Sequence, residues 1–260
     1  MSLNVPRSRS VLLHLVVAVT ALAGAAIAIS GNANASIAAA KNTRHTGIAL
    51  VAEESQFLAG YQIAPTGGLA SASVTFTVPS FTCTTGEDNA LAEQFDGVYT
   101  DQEPLYAFVT EQCYSSFGAR YMYAFGAGTC CYFSETGVAA GDVVVTSIFQ
   151  SGSSTYAEIH DLTNGAYWFA DSAGNLGFTT ADIGSQVASE QGGEPAPNFK
   201  KIKFWNATVN GDYLGFDQPT QYDAYIGSDL AAESSSLTTN VNGSTFTVSK
   251  YNPRSCRACG

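Results

Sequence analysis

Basic side chains are scarce in this chain. Its 260 residues hold 11 lysines and arginines against 22 aspartates and glutamates, with only 3 histidines. Arg7 and Arg9 belong to the first 35 residues, which contain no acid. The remainder therefore carries 9 basic groups (11 minus these two) against 22 acidic ones, a balance of −13. A surface that acidic repels phosphate backbones, so no nucleic-acid partner is expected. It suits an acidic medium, where carboxyls lose charge and a base-poor protein is spared self-repulsion. Beyond Ile29 no apolar run is long enough to cross a bilayer. The one that precedes it, Val11 to Ile29, follows the positive Arg7 and Arg9 and ends near Ala33-Asn34-Ala35, the small-residue pattern of a cleavage site. His14 and Thr20 interrupt it, which favours a cleaved signal peptide over a retained anchor. Residues 1–35 are expected to be that signal, leaving a secreted, extracellular protein without a membrane partner.

Several chemistries lack their residues. There is no His-Glu-x-x-His, no phosphate-binding glycine loop and no Gly-x-Ser-x-Gly elbow. His45 and His160 are the histidines left after the signal segment, so a Ser–His or Cys–His nucleophile would need long-range assembly. Neither has zinc-ligand spacing to a cysteine. No metal and no cofactor are expected. Helical periodicity is missing too, as are internal repeats and any Pro- or Ser-rich linker.

What is present is a framework of short β-rich runs. Ala72 to Val78, Leu105 to Thr110, Arg120 to Phe125, Asp142 to Gln150, Thr155 to His160 and Lys200 to Trp205 read as strands. Clusters of Gly, Ser, Asn and Asp separate them about every ten residues. Asn164-Gly165 predicts a tight hairpin into Ala166 to Ala170. Asn242-Gly243 predicts another, between Leu237 to Val241 and Ser244 to Lys250. Val187-Ala188 sits in a more polar run. These runs predict an all-β, antiparallel double-sheet sandwich or barrel. Residues 36–55 are polar and unpatterned, expected as a short leader or disordered segment, and 56–260 as one domain. Cys83, Cys113, Cys130, Cys131, Cys256 and Cys259 are an even set, read as three disulfides of open connectivity. Cys256-x-x-Cys259 reads as a local loop rather than a redox pair, since no βαβ pattern surrounds it. Asn206-Ala-Thr208 and Asn242-Gly-Ser244 are glycosylation sequons. Nothing calls for oligomerisation, so a monomer is expected.

With histidine and metal chemistry set aside, carboxylate and carboxamide chemistry remain. Glu111-Gln112 ends the apolar strand begun at Leu105, where a sheet can present a polar pair to a concave face. An ordinary polar strand end explains the same residues. The 28 tyrosines and phenylalanines (13 and 15) also allow sugar stacking, although core packing explains most of them.

The order of segments from Phe57 to Lys250 resembles the glutamic peptidases, or eqolisins. Ala59-Gly60-Tyr61 and Val74 to Pro79 resemble the family's opening Ala-Gly-Tyr and its strand ending in Val-Pro. Val109-Thr110-Glu111-Gln112 resembles the segment with the catalytic glutamine, and Tyr121 to Phe125 the tyrosine-rich strand after it. Ala140 to Val143, Ile159 to Gly165 and Phe199 to Ala207 follow in the family's order. The resemblance implies a concanavalin A-like, jelly-roll-type sandwich acting as an acid endopeptidase on protein or peptide substrates. It implies Gln112 and Glu190 as the catalytic pair, with Glu111, Gln186, Tyr99, Tyr121 and Tyr123 as possible site-lining residues. Such chemistry uses a glutamate as general base and the glutamine amide to position water and stabilise the oxyanion. Ser185 to Glu190 stands where the family has two glutamates. Gln186 replaces the first and Glu190 retains the second, about 13 Å away along a regular strand. The alternative is a catalytically inactive relative that binds peptide or carbohydrate on its concave face.

Overall fold

The structure is a computed structural model. It describes residues 52–55, 58–82, 92–100, 105–114, 118–127, 131–134, 137–174, 177–189, 198–226, 229–238 and 243–250. All of them belong to one compact unit, Arg44–Gly260. The expected signal peptide lies outside the described residues.

Strand follows strand along the chain. β1 (Glu53–Ser55), β2 (Leu58–Ile63), β3 (Ser71–Thr77), β4 (Phe81–Thr82), β5 (Ala92–Thr100) and β6 (Tyr106–Tyr114) come first. Next are β7 (Gly118–Gly126), β8 (Cys131–Ser134), β9 (Val143–Ser151), β10 (Ser154–Asp161), β11 (Tyr167–Ala173) and β12 (Ala181–Ser189). β13 (Asn198–Phe199), β14 (Lys201–Val209), β15 (Asp212–Tyr213), a 3-10 turn at Leu214–Asp217, β16 (Thr220–Ile226), β17 (Asp229–Ser234) and β18 (Phe246–Lys250) complete the order.

Hydrogen bonding runs through β11-β10-β9-β3-β14-β18 and on through β17-β16-β2-β12-β5-β6-β7-β8. The path doubles back, so that β9 packs on β5 and β6, and β7 lies against β10 and β11. The result is an antiparallel β-sandwich, as expected. The parallel β1–β16 pair is the exception.

Alternation makes the core. β14 buries Ile202, Phe204, Ala207 and Val209 while Lys201 and Lys203 face outward. Phe76, Phe204 and Phe246 meet across neighbouring strands at 5.5 and 4.9 Å, and Tyr61 meets Phe246 edge-on at 5.0 Å. Each buried ring of this kind contributes about 1.5–3 kcal/mol. The Tyr61 hydroxyl lies within hydrogen-bonding distance of Gln221 Oε1 (3.1 Å) and the Ser235 carbonyl (2.9 Å), so its polar end is not stranded in the core.

Several expectations change. Glu53–Ser55 is a strand, so the expected leader does not run to residue 55. The polar run around Val187 belongs to the nine-residue β12. Asn164-Gly165 does not make a two-residue turn. Asp161 N–H donates to Ala166 O, and Gly165 N–H to Asp161 O, closing a four-residue loop. The buried Asp161 carboxylate sets its shape by accepting from the N–H groups of Thr163 and Asn164. Gly165 supplies the positive φ of 78° that the loop needs. At the second hairpin, Thr238 N–H donates to Thr245 O and Ser235 N–H to Thr247 O, but 237–238 is not a strand. Residues 239–242 lie outside the described residues, as do Cys83, Cys130, Cys256 and Cys259. The sequon residue Asn206 is exposed at φ 52°, in a bulge where two residues of β14 face one of β3.

Candidate functional site

The layer from β16 to β7 has one face on the core and a far face turned away from it. Pairing registers order the far face into rows. Gln62, Asp182, Tyr99 and Tyr106 form one. Tyr222, Gly60, Gly184, Gly97, Phe108 and Ala124 form the next. Leu58, Gln186, position 95, Thr110 and Met122 form the third, and positions 188, 93, 112 and 120 the fourth.

The glycine row shapes this face. Gly60, Gly184 and Gly97 are paired across three strands at φ 156°, 149° and 155°. A Cβ on any of them would sit 2.2–2.4 Å from a carbonyl oxygen of the adjacent strand. Only glycine permits both that conformation and that approach. The flanking rows lie four residues apart along the strands, about 13 Å. Between them the strip of three paired glycines presents no side chain, and Tyr222 and Phe108 bound the row at either end; the glycines themselves are buried.

The walls are polar and aromatic. Gln62 Nε2 donates to Asp182 Oδ1 at 2.9 Å. Tyr99, Phe108 and Tyr106 form a rack, with centroids 6.1 and 5.3 Å apart and planes within 15°. Burial, then the Glu53 and Asp182 carboxylates, raises the Tyr222 hydroxyl above its usual value. Across the strip, Gln186 is half-buried, whereas Thr110 and Gln112 are buried. Thr110 Oγ1 has no hydrogen-bond partner.

The expected site residues therefore separate by face. Gln112, Gln186 and Tyr99 share the far face. Glu111, Tyr121 and Tyr123 alternate onto the core face. Glu190 lies outside the described residues. Ala188, two residues before it, is two strands from Gln112 through position 93, about 10 Å. Sequence reasoning passed over Glu93, whose backbone stands directly opposite Gln112 on β5. The signal for it is the register of the β5–β6 hairpin, which pairs these two residues, nineteen apart in the chain.

On the core face Glu111 joins a buried polar cluster. Ser185 Oγ donates to Asp96 Oδ1 at 2.5 Å, and Asp96, Glu111 and Ser185 are all at most 1 % exposed. No donor reaches either oxygen of Glu111. Burial, then the charge of Asp96 beside it and a carboxyl–carboxyl contact, pushes the Glu111 carboxyl well above the usual range. Tyr121, its partner on β7, is raised by burial, with Glu111 a smaller cause. This cluster is closed to a substrate. Tyr123 instead donates to Asp161 Oδ2 at 2.9 Å, with its hydroxyl pushed up to about 12, mainly by burial. No group of three or more potential metal ligands occurs among the described residues.

Solved structures resemble this arrangement. A scytalido-glutamic peptidase bound to a transition-state analog inhibitor superposes with a TM-score of 0.51 at 18 % identity, over 76 % of this chain and 99 % of that one. SCP-B, a member of the eqolisin family of peptidases in complex with the tripeptide Ala-Ile-His, gives 0.53 at 17 %, over 76 % and 99 %. The fold is shared with the glutamic peptidases. No family model and no curated protein matches the chain. At this identity the likeness reaches the glutamic-peptidase sandwich and stops short of its individual side chains. No helix among the described residues is long and apolar enough to cross a membrane.

Proposed function

We propose that this protein is a secreted glutamic-peptidase-like hydrolase that lays an extended peptide across the far face of the β16–β7 layer and works at acid pH. The observation that carries the reading is the row of three paired glycines two rows from Gln112 on the same face of a glutamic-peptidase-like sandwich. In hydrolysis a carboxylate takes a proton from water as its oxygen attacks the scissile carbonyl. The Gln112 amide holds the water and the developing oxyanion, and the acid formed returns the proton to the leaving amine. Glu190 is the expected carboxylate. Glu93, opposite Gln112 in register, is the second candidate.

The second reading is peptide binding without cleavage. Gln186 favours it, because a carboxamide on the strand expected to carry the base cannot accept water's proton. Digestion of unfolded casein between pH 2 and 6 decides the matter, with wild type compared against Glu190→Gln, Glu93→Gln and Gln112→Ala. Loss of about a hundredfold or more in kcat for Gln112→Ala and for one of the two glutamates is expected. A folded wild type that cleaves nothing at any pH leaves only the binding reading. Cleavage untouched by all three substitutions refutes this site.

A further inference from the structure

The outer face of the other layer carries an aromatic patch that peptide handling does not use. Among the described strands β11 ends the sheet, paired only with β10. Outward positions on this hairpin pair His160 with Tyr167, Glu158 with Phe169 and Tyr156 with Asp171. Four large apolar residues are exposed among the described ones, and two of them, Tyr167 (51 %) and Phe169 (54 %), lie side by side here, with Leu162 (51 %) in the loop that joins the two strands. The Tyr167 and Phe169 rings lie 6.0 Å apart with planes 33° from parallel. Tyr167 is held from two sides. Its hydroxyl donates to Glu158 Oε1 at 2.5 Å, and His160 meets its ring edge at 6.0 Å. Ordering both rings in advance lowers the entropy a ligand must overcome.

We propose that this face binds a neutral, β-linked hexopyranose chain. The two half-exposed rings offer about 100 Å² each, side by side on one strand. That area suits a few sugar rings in line. Charge narrows the chemistry further. Glu158 and Asp171 flank the rings in a chain of net charge −11, which disfavours anionic polymers. A pyranose with equatorial hydroxyls has flat C–H faces to lie on aromatic rings and a rim of O–H donors for those two carboxylates. The face would hold a secreted enzyme on a polysaccharide matrix, leaving the opposite layer's far face to peptide.

Affinity electrophoresis of the full chain in gels containing barley β-glucan or polygalacturonate tests this. The wild type is expected to be retarded by the glucan and not by the polyuronate. Tyr167→Thr and Phe169→Thr keep β-forming residues, and each should weaken retardation about tenfold. Phe216→Ala, at an exposed ring in the 3-10 turn, should leave it unchanged. Absence of wild-type retardation by the glucan, or equal retardation of the Tyr167→Thr/Phe169→Thr double variant, overturns the proposal. So does a wild-type dimer in light scattering that the double variant dissociates, which would assign the face to a second copy.

Discussion

Replacing Glu111 by glutamine removes a titration from the core while keeping the side chain's shape. The wild-type carboxyl is 1 % exposed, receives no hydrogen bond on either oxygen and faces Asp96. Its pKa is raised on folding. The stability it contributes is therefore fully present below the unfolded value of about 4.3, and is lost as pH rises through the higher folded value. Between those two values each pH unit costs about 1.4 kcal/mol. For a compact unit of this size that is a fall in Tm of about 3–6 °C per unit. Asp142, raised by burial and the charge of Asp161, adds a background of the same sign, which remains in the variant and cancels in the difference. Thermal melts by near-ultraviolet circular dichroism from pH 3 to 8 read the effect. The wild-type Tm should fall above about pH 4. The Glu111→Gln curve should be flatter by one proton's worth, so that the variant gains on the wild type as pH rises. Parallel curves would refute the buried-carboxyl reasoning, as would a wild type that gains stability over Glu111→Gln between pH 4 and 6.

Two further substitutions test the frame around the site. Gly184→Ala puts a methyl 2.4 Å from Ala59 O and 2.8 Å from Gly60 Cα, at a φ of 149° that alanine resists. It should cost about 3 kcal/mol or more in urea unfolding, and a loss below about 1 kcal/mol would mean that the strip is not the close backbone contact described. Asp161→Ala strands the Tyr123 hydroxyl and the N–H groups of Thr163 and Asn164. A loss of about 2–4 kcal/mol is expected by the same measurement, and a neutral result would show that the loop does not need its carboxylate.

The strands that alternate cleanly were legible in sequence. In β9 and β14 apolar and polar residues trade places at period two, and the predicted and observed spans differ by a few residues. β12 was not legible, because Ser185 interrupts its apolar side while Gly184 and Gln186 stand on the other face. That pattern reflects the glycine row and the Asp96 contact, both set by strands far away in the chain. Asn164-Gly165 marked a turn correctly but misjudged its length. A two-residue turn competes there with the four-residue loop that Asp161 caps from within, and the caps win because Asp161 also satisfies Tyr123. The pairing of Glu93 with Gln112 was invisible for a different reason. It depends on hairpin register, and the loop between β5 and β6 carries no dipeptide that fixes one.

Glu111 and Gln112 show why the site itself was harder to read than the fold. The strand beneath them was plain, and so was the polar pair at its end. Which member faces the core follows from Val109 and Ala107, whose parity belongs to Glu111. Read strictly, alternation sends the glutamate inward, and a charged residue at a core position normally argues against that register. Here the objection fails because the cost depends on pH. The raised Glu111 carboxyl is neutral at acid pH, and a neutral acid beside Asp96 and Ser185 is far cheaper to bury than a second anion. Such a pair is therefore cheapest to bury at low pH, the medium proposed above. The excess of carboxylates over basic groups is compatible with the same medium, since it loses charge as pH falls. The buried pair alone carries a stability sign: the raised Glu111 carboxyl makes folding more favourable toward acid, which the melts above read directly.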